Sequence, residues 1–485
     1  MTGKPQAEHV DVLIVGAGIS GIDAAYRVQT ELPGKSYAVL EAREAIGGTW
    51  DLFRYPGIRS DSDMYTLGFP FRPWRGEKSI SDGSDIRSYV EETAREFGID
   101  RHIRFNHRAV RAAWSSADAL WTVEVEAEGV PRTFTCAFLF LCAGYYDYAG
   151  GYRPEWPGEE AFVGRFVHPQ FWPADLDYSG KRVVVIGSGA TAVTLVPEMA
   201  KTAAHVTMLQ RSPTWIVSMP SRDSIAGWAQ RRLPKRAADG LVRWKNILFT
   251  IAFFNYSRRW PGRVKKALLK GARKALPEGY DVERDFQARY DPWDQRLCLV
   301  PDADLFAAIK AGRAEVVTDT IERFTAEGVR LASGRELEAD VVVTATGLVI
   351  KLLGGIALEV DGAPVNVGDT VAYKGMMLSG VPNMALSFGY TNASWTLKCD
   401  LTARYVCRLL KHMDAEGARI AVPRLPEGGV ERAPLLDFSS GYVTRAAGKI
   451  PAQGTKAPWR LHQNYLKDLF ALGRQPVEDE AMDFR

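Results

Sequence analysis

Two glycine-rich hexapeptides carry the first chemical signal in this chain: GAGISG, from Gly16 to Gly21, and GSGATA, from Gly187 to Ala192. Glycines at that spacing turn the backbone tightly and bring N–H groups and a helix N-terminus up to a phosphate. The first loop follows the apolar run Val12-Leu13-Ile14-Val15 and leaves through Ile22-Asp23-Ala24-Ala25-Tyr26. A second apolar run, Tyr37 to Leu40, ends in Glu41, about 20 residues past the third glycine, where a carboxylate takes ribose hydroxyls. Gly16, Gly18, Gly21 and Glu41 therefore describe a pocket for an ADP half. Because Glu41 would repel a 2′-phosphate, FAD or NAD fits it better than NADP.

The second loop follows Val183-Val184-Val185-Ile186, and Gly187, Gly189 and Thr191 are its candidate phosphate contacts. Its next apolar run, His205 to Leu209, ends in Gln210-Arg211-Ser212 with no acid. Arg211 there would pair bidentately with a 2′-phosphate, which favours NADPH over NADH; the competing reading is an ordinary surface cation.

The elements that must position these loops alternate strand and helix, which predicts an α/β chain with two Rossmann-like dinucleotide-binding domains, for FAD and for NADP, and a helical insertion. At 485 residues the chain exceeds the size of one core. Strand-to-glycine exits at Leu139 to Gly144 and Val341 to Gly347 mark where the chain crosses between domains. The expected division is 1–149 and 344–485 for the FAD-binding domain, 150–225 and 291–343 for the NADP-binding domain, and 226–290 for the insertion.

Five cysteines without a CxxC or zinc-like spacing argue against a metal site and against disulfide reductases, which need a dithiol beside their flavin. The N-terminus runs from a polar lead directly into the first strand, and no run approaches the ~20 apolar residues of a membrane span, so the cytoplasm is the expected compartment.

Between Arg231 and Lys274 stand fourteen Lys and Arg against one acid, Asp239, in a chain whose net charge is +3. Within that stretch lies Ile247 to Phe254, flanked by Trp244 and Trp260. Two readings stand: peripheral contact with an anionic membrane, deepened by Phe253 and Phe254 and held by Lys265, Lys266 and Lys270, or a solvated face whose charge attracts NADPH. No reading helix or stacking module accompanies the charge, which speaks against nucleic acid.

Phe162, Gly164, His168, Trp172 and Pro173 form FxGxxxHxxxWP, and Gly47, Gly48, Trp50, Tyr55, Pro56, Gly57 and Asp61 lie in GGTWDLFRYPGIRSD. On these two signatures the chain resembles the type I Baeyer–Villiger monooxygenases; flavin-containing monooxygenases share the first pattern but usually lack its Trp-Pro. The resemblance implies that NADPH reduces FAD, that dioxygen adds at flavin C4a, and that the resulting peroxide attacks a ketone to give an ester or lactone. It implies flavin contacts for Gly48, Trp50 and Asp61, and it makes Arg296 the active-site arginine, oriented by Asp61 with Asp63 as a competitor. His168 would couple NADPH binding to domain orientation, with Trp172 packed beside it and Gly164 as a flexible turn. One departure is Gln295, where several relatives carry a lysine for the 2′-phosphate, so that preference leans on Arg211 and Thr191. Oxidation of sulfides, thioamides or amines by the same flavin is the alternative activity, and a plain NADPH reductase would need neither Arg296 nor Asp61.

Overall fold

Parallel strands buried on both faces must be apolar without interruption, and the chain's two VVVI-like runs form the centres of two such sheets. The computed structural model describes residues 7–436 and 440–485. Strand β1 (Glu8–Val15) leads into helix α1 (Ile19–Glu31) and β2 (Tyr37–Leu40). Short helices α2 (Thr49–Leu52) and α3 (Met64–Leu67) and the longer α4 (Gly83–Glu96) follow, then β3 (Ile103–Arg104), β4 (His107–Ser115), β5 (Leu120–Ala127) and β6 (Val130–Leu141).

β1 pairs in parallel with β2 and β6, and β2 pairs with β3. β6 is long enough to take two partners on its edge away from β1: its first half pairs antiparallel with β5, and its end pairs in parallel with Met384–Leu386. Alternation along β1 splits the core. Val12 and Ile14 face α1 and the helix Trp395–Glu416, while Leu13 and Val15 face Trp114 and Trp121.

The chain leaves this sheet through β7 (Tyr146–Gly151) and builds the second from β8 (Arg165–Val167), β9 (Arg182–Ile186), helix α5 (Ala190–Met199) and β10 (His205–Gln210). Strand β11 (Ile216–Met219) then pairs in parallel with β12 (Cys298–Pro301), and the helices α6 (Ser224–Arg232), α7 (Lys235–Arg259) and α8 (Pro261–Ala275) lie between them in sequence. The basic segment is thus a helical excursion, as its lack of strand alternation predicts.

β13 (Ala314–Thr318), an antiparallel meander of β14 (Ile321–Phe324), β15 (Gly328–Leu331) and β16 (Glu336–Glu338), and β17 (Val341–Thr344) complete the unit. The sheet order is β13-β10-β9-β17-β8, parallel throughout. The returning chain forms β18 (Leu348–Ile350), which pairs antiparallel with β7. Outgoing and incoming segments therefore run side by side, tied further by Tyr152 N–H donating to Gly347 O at 3.0 Å and Thr346 Oγ1 donating to Tyr152 O at 2.6 Å. All five cysteines are free and buried. Among the described residues no helix is long and apolar enough to cross a membrane.

Candidate active site

Each glycine-rich loop lies between a strand and an uncapped helix. Gly18 and Gly189 are the N-cap residues of α1 and α5, and neither helix start receives a side-chain hydrogen bond. Free N–H groups at the positive end of a helix dipole are what a pyrophosphate needs, so both loops fit a dinucleotide. Gly16 (φ +104°) and Gly187 (φ +137°) occupy backbone that disfavours a side chain, and a Cβ on either would lie within 2.6 Å of a carbonyl oxygen on the neighbouring strand exit.

Glu41 stands at the end of β2, buried, accepting hydrogen bonds from Ala17 N at 2.7 Å and Arg43 N at 2.9 Å. Burial pushes its carboxyl above the ordinary range, against the pull of those two N–H donors. Arg211 is exposed at the end of β10, with no acid partner among the described residues.

The segment from Gly47 to Gly57 joins the two halves. Gly48 backs onto Gly18, so the first loop is roofed by this segment. A few residues later Leu52, Phe53 and Tyr55 enter the core of the second sheet. The Tyr55 hydroxyl meets Thr191 at the start of α5, and Gly57 approaches Glu198 so closely that a Cβ would lie 2.9 Å from its side chain. Thr191 is thus engaged across the domain junction. Trp50 packs on the first core, and Asp51, buried beside it, pairs with Arg43, Arg54 and Arg87.

Arg296 and Asp61 meet at this junction, Nη1 to Oδ2 at 3.2 Å, with both side chains about one-third exposed (35% and 40%). Such a pair adds under about 1 kcal/mol to stability, so its value is positional. Asp61 first, with Tyr145, Tyr146 and Tyr442 behind it, holds the guanidinium above its already high ordinary value. Asp63, the competitor, caps α3 instead: its carboxylate accepts from Thr66 N at 2.9 Å and from Thr66 Oγ1 at 2.6 Å.

Arg296 opens onto a small aromatic pocket with Tyr145, Phe388, Tyr390, Trp395 and Tyr442. The Tyr145 and Tyr146 hydroxyls share a hydrogen bond of 2.5 Å, and burial pushes both phenols up, so they stay protonated at neutral pH. These tyrosines follow the strand exit Cys142-Ala143-Gly144 directly, at the carboxyl end of a parallel strand where ligands of such sheets bind. That position was the sequence signal for them.

The loop carrying Arg296 is clamped from the insertion. Arg258 on α7 pairs with Asp294 at 2.6 Å and Lys265 on α8 with Asp291 at 2.5 Å, while Phe253 and Phe254 pack edge-on against Trp293. This corrects the expectation that Phe253, Phe254 and Lys265 face a membrane: all three engage the Arg296 loop. Trp293 sits at φ +73°.

The fingerprint residues do not touch Arg296. Gly164 is set by close approach rather than flexibility, since a Cβ would lie 2.6 Å from Asp340 O and 2.4 Å from the Phe162 ring. His168 lies on Gly151 of β7, where a Cβ would meet its ring at 2.1 Å, and its Nδ1 accepts from Gln170 N at 3.2 Å. Burial, then Arg153, holds the imidazole below its ordinary value. Trp172, expected beside His168, instead packs on Tyr178, with Pro173 following.

Comparison with known proteins gives the family and the fold. Residues 69–233 match the flavin-binding monooxygenase-like family and residues 14–75 the NAD(P)-binding Rossmann-like domain. The sequence is 57% identical over 478 residues to the FAD-containing monooxygenase EthA of Mycobacterium tuberculosis (strain CDC 1551 / Oshkosh), covering 98% of each chain. It is 54% identical over 478 residues to the EthA of Mycolicibacterium smegmatis, covering 98% of this chain and 97% of the relative. The solved structure of an oxidized steroid monooxygenase bound to NADP superposes with a TM-score of 0.76 at 22% identity, covering 98% of this chain and 99% of that one.

Proposed function

This chain belongs to the flavin-binding monooxygenase-like family of FAD-containing monooxygenases, and from that premise we propose that it uses FAD and NADPH to insert one oxygen atom of O2 into ketones, giving esters or lactones. FAD is assigned to Gly16, Gly18, Gly21 and Glu41 with Gly48 and Trp50 above them. NADPH is assigned to Gly187, Gly189 and Arg211. The observation that carries the reading is the Arg296–Asp61 pair beside an aromatic pocket at the junction of the two nucleotide loops.

Bound flavin would supply the oxygen activation, with O2 giving one atom to the substrate and the other to water and NADPH providing the two electrons. The protein supplies the rest. Arg296 cannot lose its proton at working pH, so it holds negative charge on the reacting oxygens and does no base work. Asp61 aims it from one side, and the clamps from Arg258 and Lys265 fix the loop from the other. Tyr145, Phe388, Trp395 and Tyr442 line the pocket beside it, and a bound flavin and substrate there would displace water and strengthen the guanidinium's field. His168, held neutral and seated on the crossing strand β7, acts as a positioning residue between the domains.

A second reading rests on the tyrosines. Tyr145 and Tyr146 remain protonated beside Arg296, and a proton donor at the reacting oxygen favours transfer to sulfur over attack on a carbonyl. The test is Arg296→Ala assayed on a ketone and a sulfide, with product structures read by NMR because ester and sulfoxide gain the same mass. Losing a well-aimed donor corresponds to roughly a hundredfold in rate, ~3 kcal/mol. Ester formation should fall by that much with flavin absorbance unchanged. Ketone oxidation near the parent rate would remove Arg296 from the reaction.

A further inference from the structure

The longest helix in the basic insertion has an outward face that plays no part in the catalytic site. α7 turns Ala238, Val242, Asn246 and Ile247 inward and leaves Leu241, Trp244, Leu248, Phe249 and Tyr256 exposed by 40 to 51%. Leu241, Trp244 and Leu248 advance by three and four residues and form one stripe, with Phe249 and Tyr256, seven residues apart, along its edge, on a helix of 25 residues, about 37 Å at 1.5 Å per residue. Ile225 and Trp228 on α6, exposed by 50% and 49%, add to the apolar surface. Exposed apolar area of this extent marks an interaction surface.

The cations divide by face. Five are held within the protein: Arg243 donates to the Tyr65 and Gly68 carbonyls, and Lys245, Arg258, Lys265 and Arg273 pair with Asp223, Asp294, Asp291 and Glu283. The single acid between Arg231 and Lys274, Asp239, pairs with Arg75 at 2.9 Å. The other nine of the fourteen are exposed with no acid partner among the described residues. Four of them flank the stripe: Lys235 and Arg236 at its start, Arg259 and Arg263 at its end, where the last two stack on Trp260 at 5.6 and 5.9 Å.

We propose that α7 docks this face on an anionic lipid bilayer, with Leu241, Trp244, Leu248 and Phe249 entering the headgroup boundary and the flanking cations on lipid phosphates. An apolar stripe with tryptophan at its edge and unpaired cations at both ends has the charge and shape of an interfacial helix. A second copy of the chain fits worse, because a two-fold contact would bring cations against cations. The opposite face of the same helix packs on Trp293, so lipid lies one helix away from the Arg296 loop.

The test is flotation of the full flavin-loaded chain with vesicles of equimolar phosphatidylglycerol and phosphatidylcholine, beside phosphatidylcholine alone. The chain should float with the first at low salt, less as salt rises, and stay behind with the second. Each cation near an anionic surface is worth about fivefold in affinity, so Lys235→Gln with Arg236→Gln should weaken binding about 25-fold. Leu241→Ser with Leu248→Ser should reduce the part that survives high salt, with flavin absorbance and turnover of a soluble ketone retained. No flotation with the anionic vesicles at low salt overturns the proposal. So does a dimer in sedimentation that Leu248→Ser separates, because the face then belongs to a second copy. Should the serine variant fold poorly, the exposed pair Lys235 and Arg236 decides.

Discussion

The two nucleotide loops share one plan and differ in how tightly the protein closes over them. Gly16, Gly18 and Gly21 correspond to Gly187, Gly189 and Ala192. In the first loop the helix comes so close that a Cβ on Gly21 would sit 1.8 Å from Gly16 O, whereas the second accommodates the methyl of Ala192. Gly18 is roofed by Gly48, but nothing lies within 4 Å of a Cβ on Gly189. The polar residue at the far end is the buried Glu41 in one case and the exposed Arg211 in the other. A cofactor that stays bound needs a closed, presorted cradle, and one that enters and leaves each cycle needs an open one with a charge at its mouth. The difference teaches that one structural unit can be tuned for residence or for exchange by a single methyl and a single lid.

Exchanging the methyls is the most severe way to break this comparison. Gly21→Ala should prevent stable flavin binding: helix propensity alone gains up to about 1 kcal/mol, but the clash with backbone at 1.8 Å far outweighs it. Ala192→Gly should keep its fold and lose about 1 kcal/mol from helix propensity. Flavin absorbance and melting temperature read both, and a yellow, fully stable Gly21→Ala protein would refute the closed-cradle reading.

Arg211 sharpens the open side. A charge-assisted hydrogen bond is worth about 1.5–3 kcal/mol, so Arg211→Ala should raise KM for NADPH by roughly ten- to a hundredfold and leave KM for NADH nearly unchanged. Equal losses with both nucleotides would make Arg211 structural and move phosphate recognition elsewhere. A smaller effect is expected at the clamp: Lys265→Gln should lower kcat several-fold at unchanged flavin content, since a surface-type pair carries under about 1 kcal/mol but holds the loop of Arg296. Unchanged turnover would mean that Phe253, Phe254 and Trp293 fix that loop unaided.

Local order explains which parts were legible in the sequence. Strand, loop, helix and acid in register need only a contiguous stretch, so Gly16 to Glu41 could be read directly, and the two β-strand exits at Gly144 and Gly347 marked the crossing. The Arg296–Asp61 pair came from signature matching, because two residues so far apart in sequence have no periodicity to link them. The clamps were unreadable for the same reason: the charge count of the insertion is a sum, and it hides that Arg258 and Lys265 face inward while Lys266 and Lys270 do not. Phe253 and Phe254 misled because an apolar run on a helix turns through both faces, and only tertiary packing on Trp293 says which face is buried.

The finest difference between the two units lies one turn inside each helix. Asp23 on α1 corresponds to Thr194 on α5, and both are buried. Burial first, then the neighbouring Asp400 carboxylate, pushes the Asp23 carboxyl well above its ordinary range, while Arg27, paired with Asp400 at 2.5 Å, pulls the other way. In the unfolded chain Asp23 titrates near pH 4. Between that value and its raised folded value, the native state holds a proton that the unfolded state has lost, so this group's contribution to stability declines as pH rises and levels off above the folded value. Asp23→Asn keeps the shape and removes the titration, as Thr194 does in the second unit. The variant should therefore melt close to the parent near pH 4 and increasingly above it towards pH 7, gaining about 1.4 kcal/mol for every pH unit over which only the folded parent keeps that proton. A melting difference that stays constant from pH 4 to 7 would mean that Asp23 is ionised in the folded protein and that the two helices are electrostatically alike.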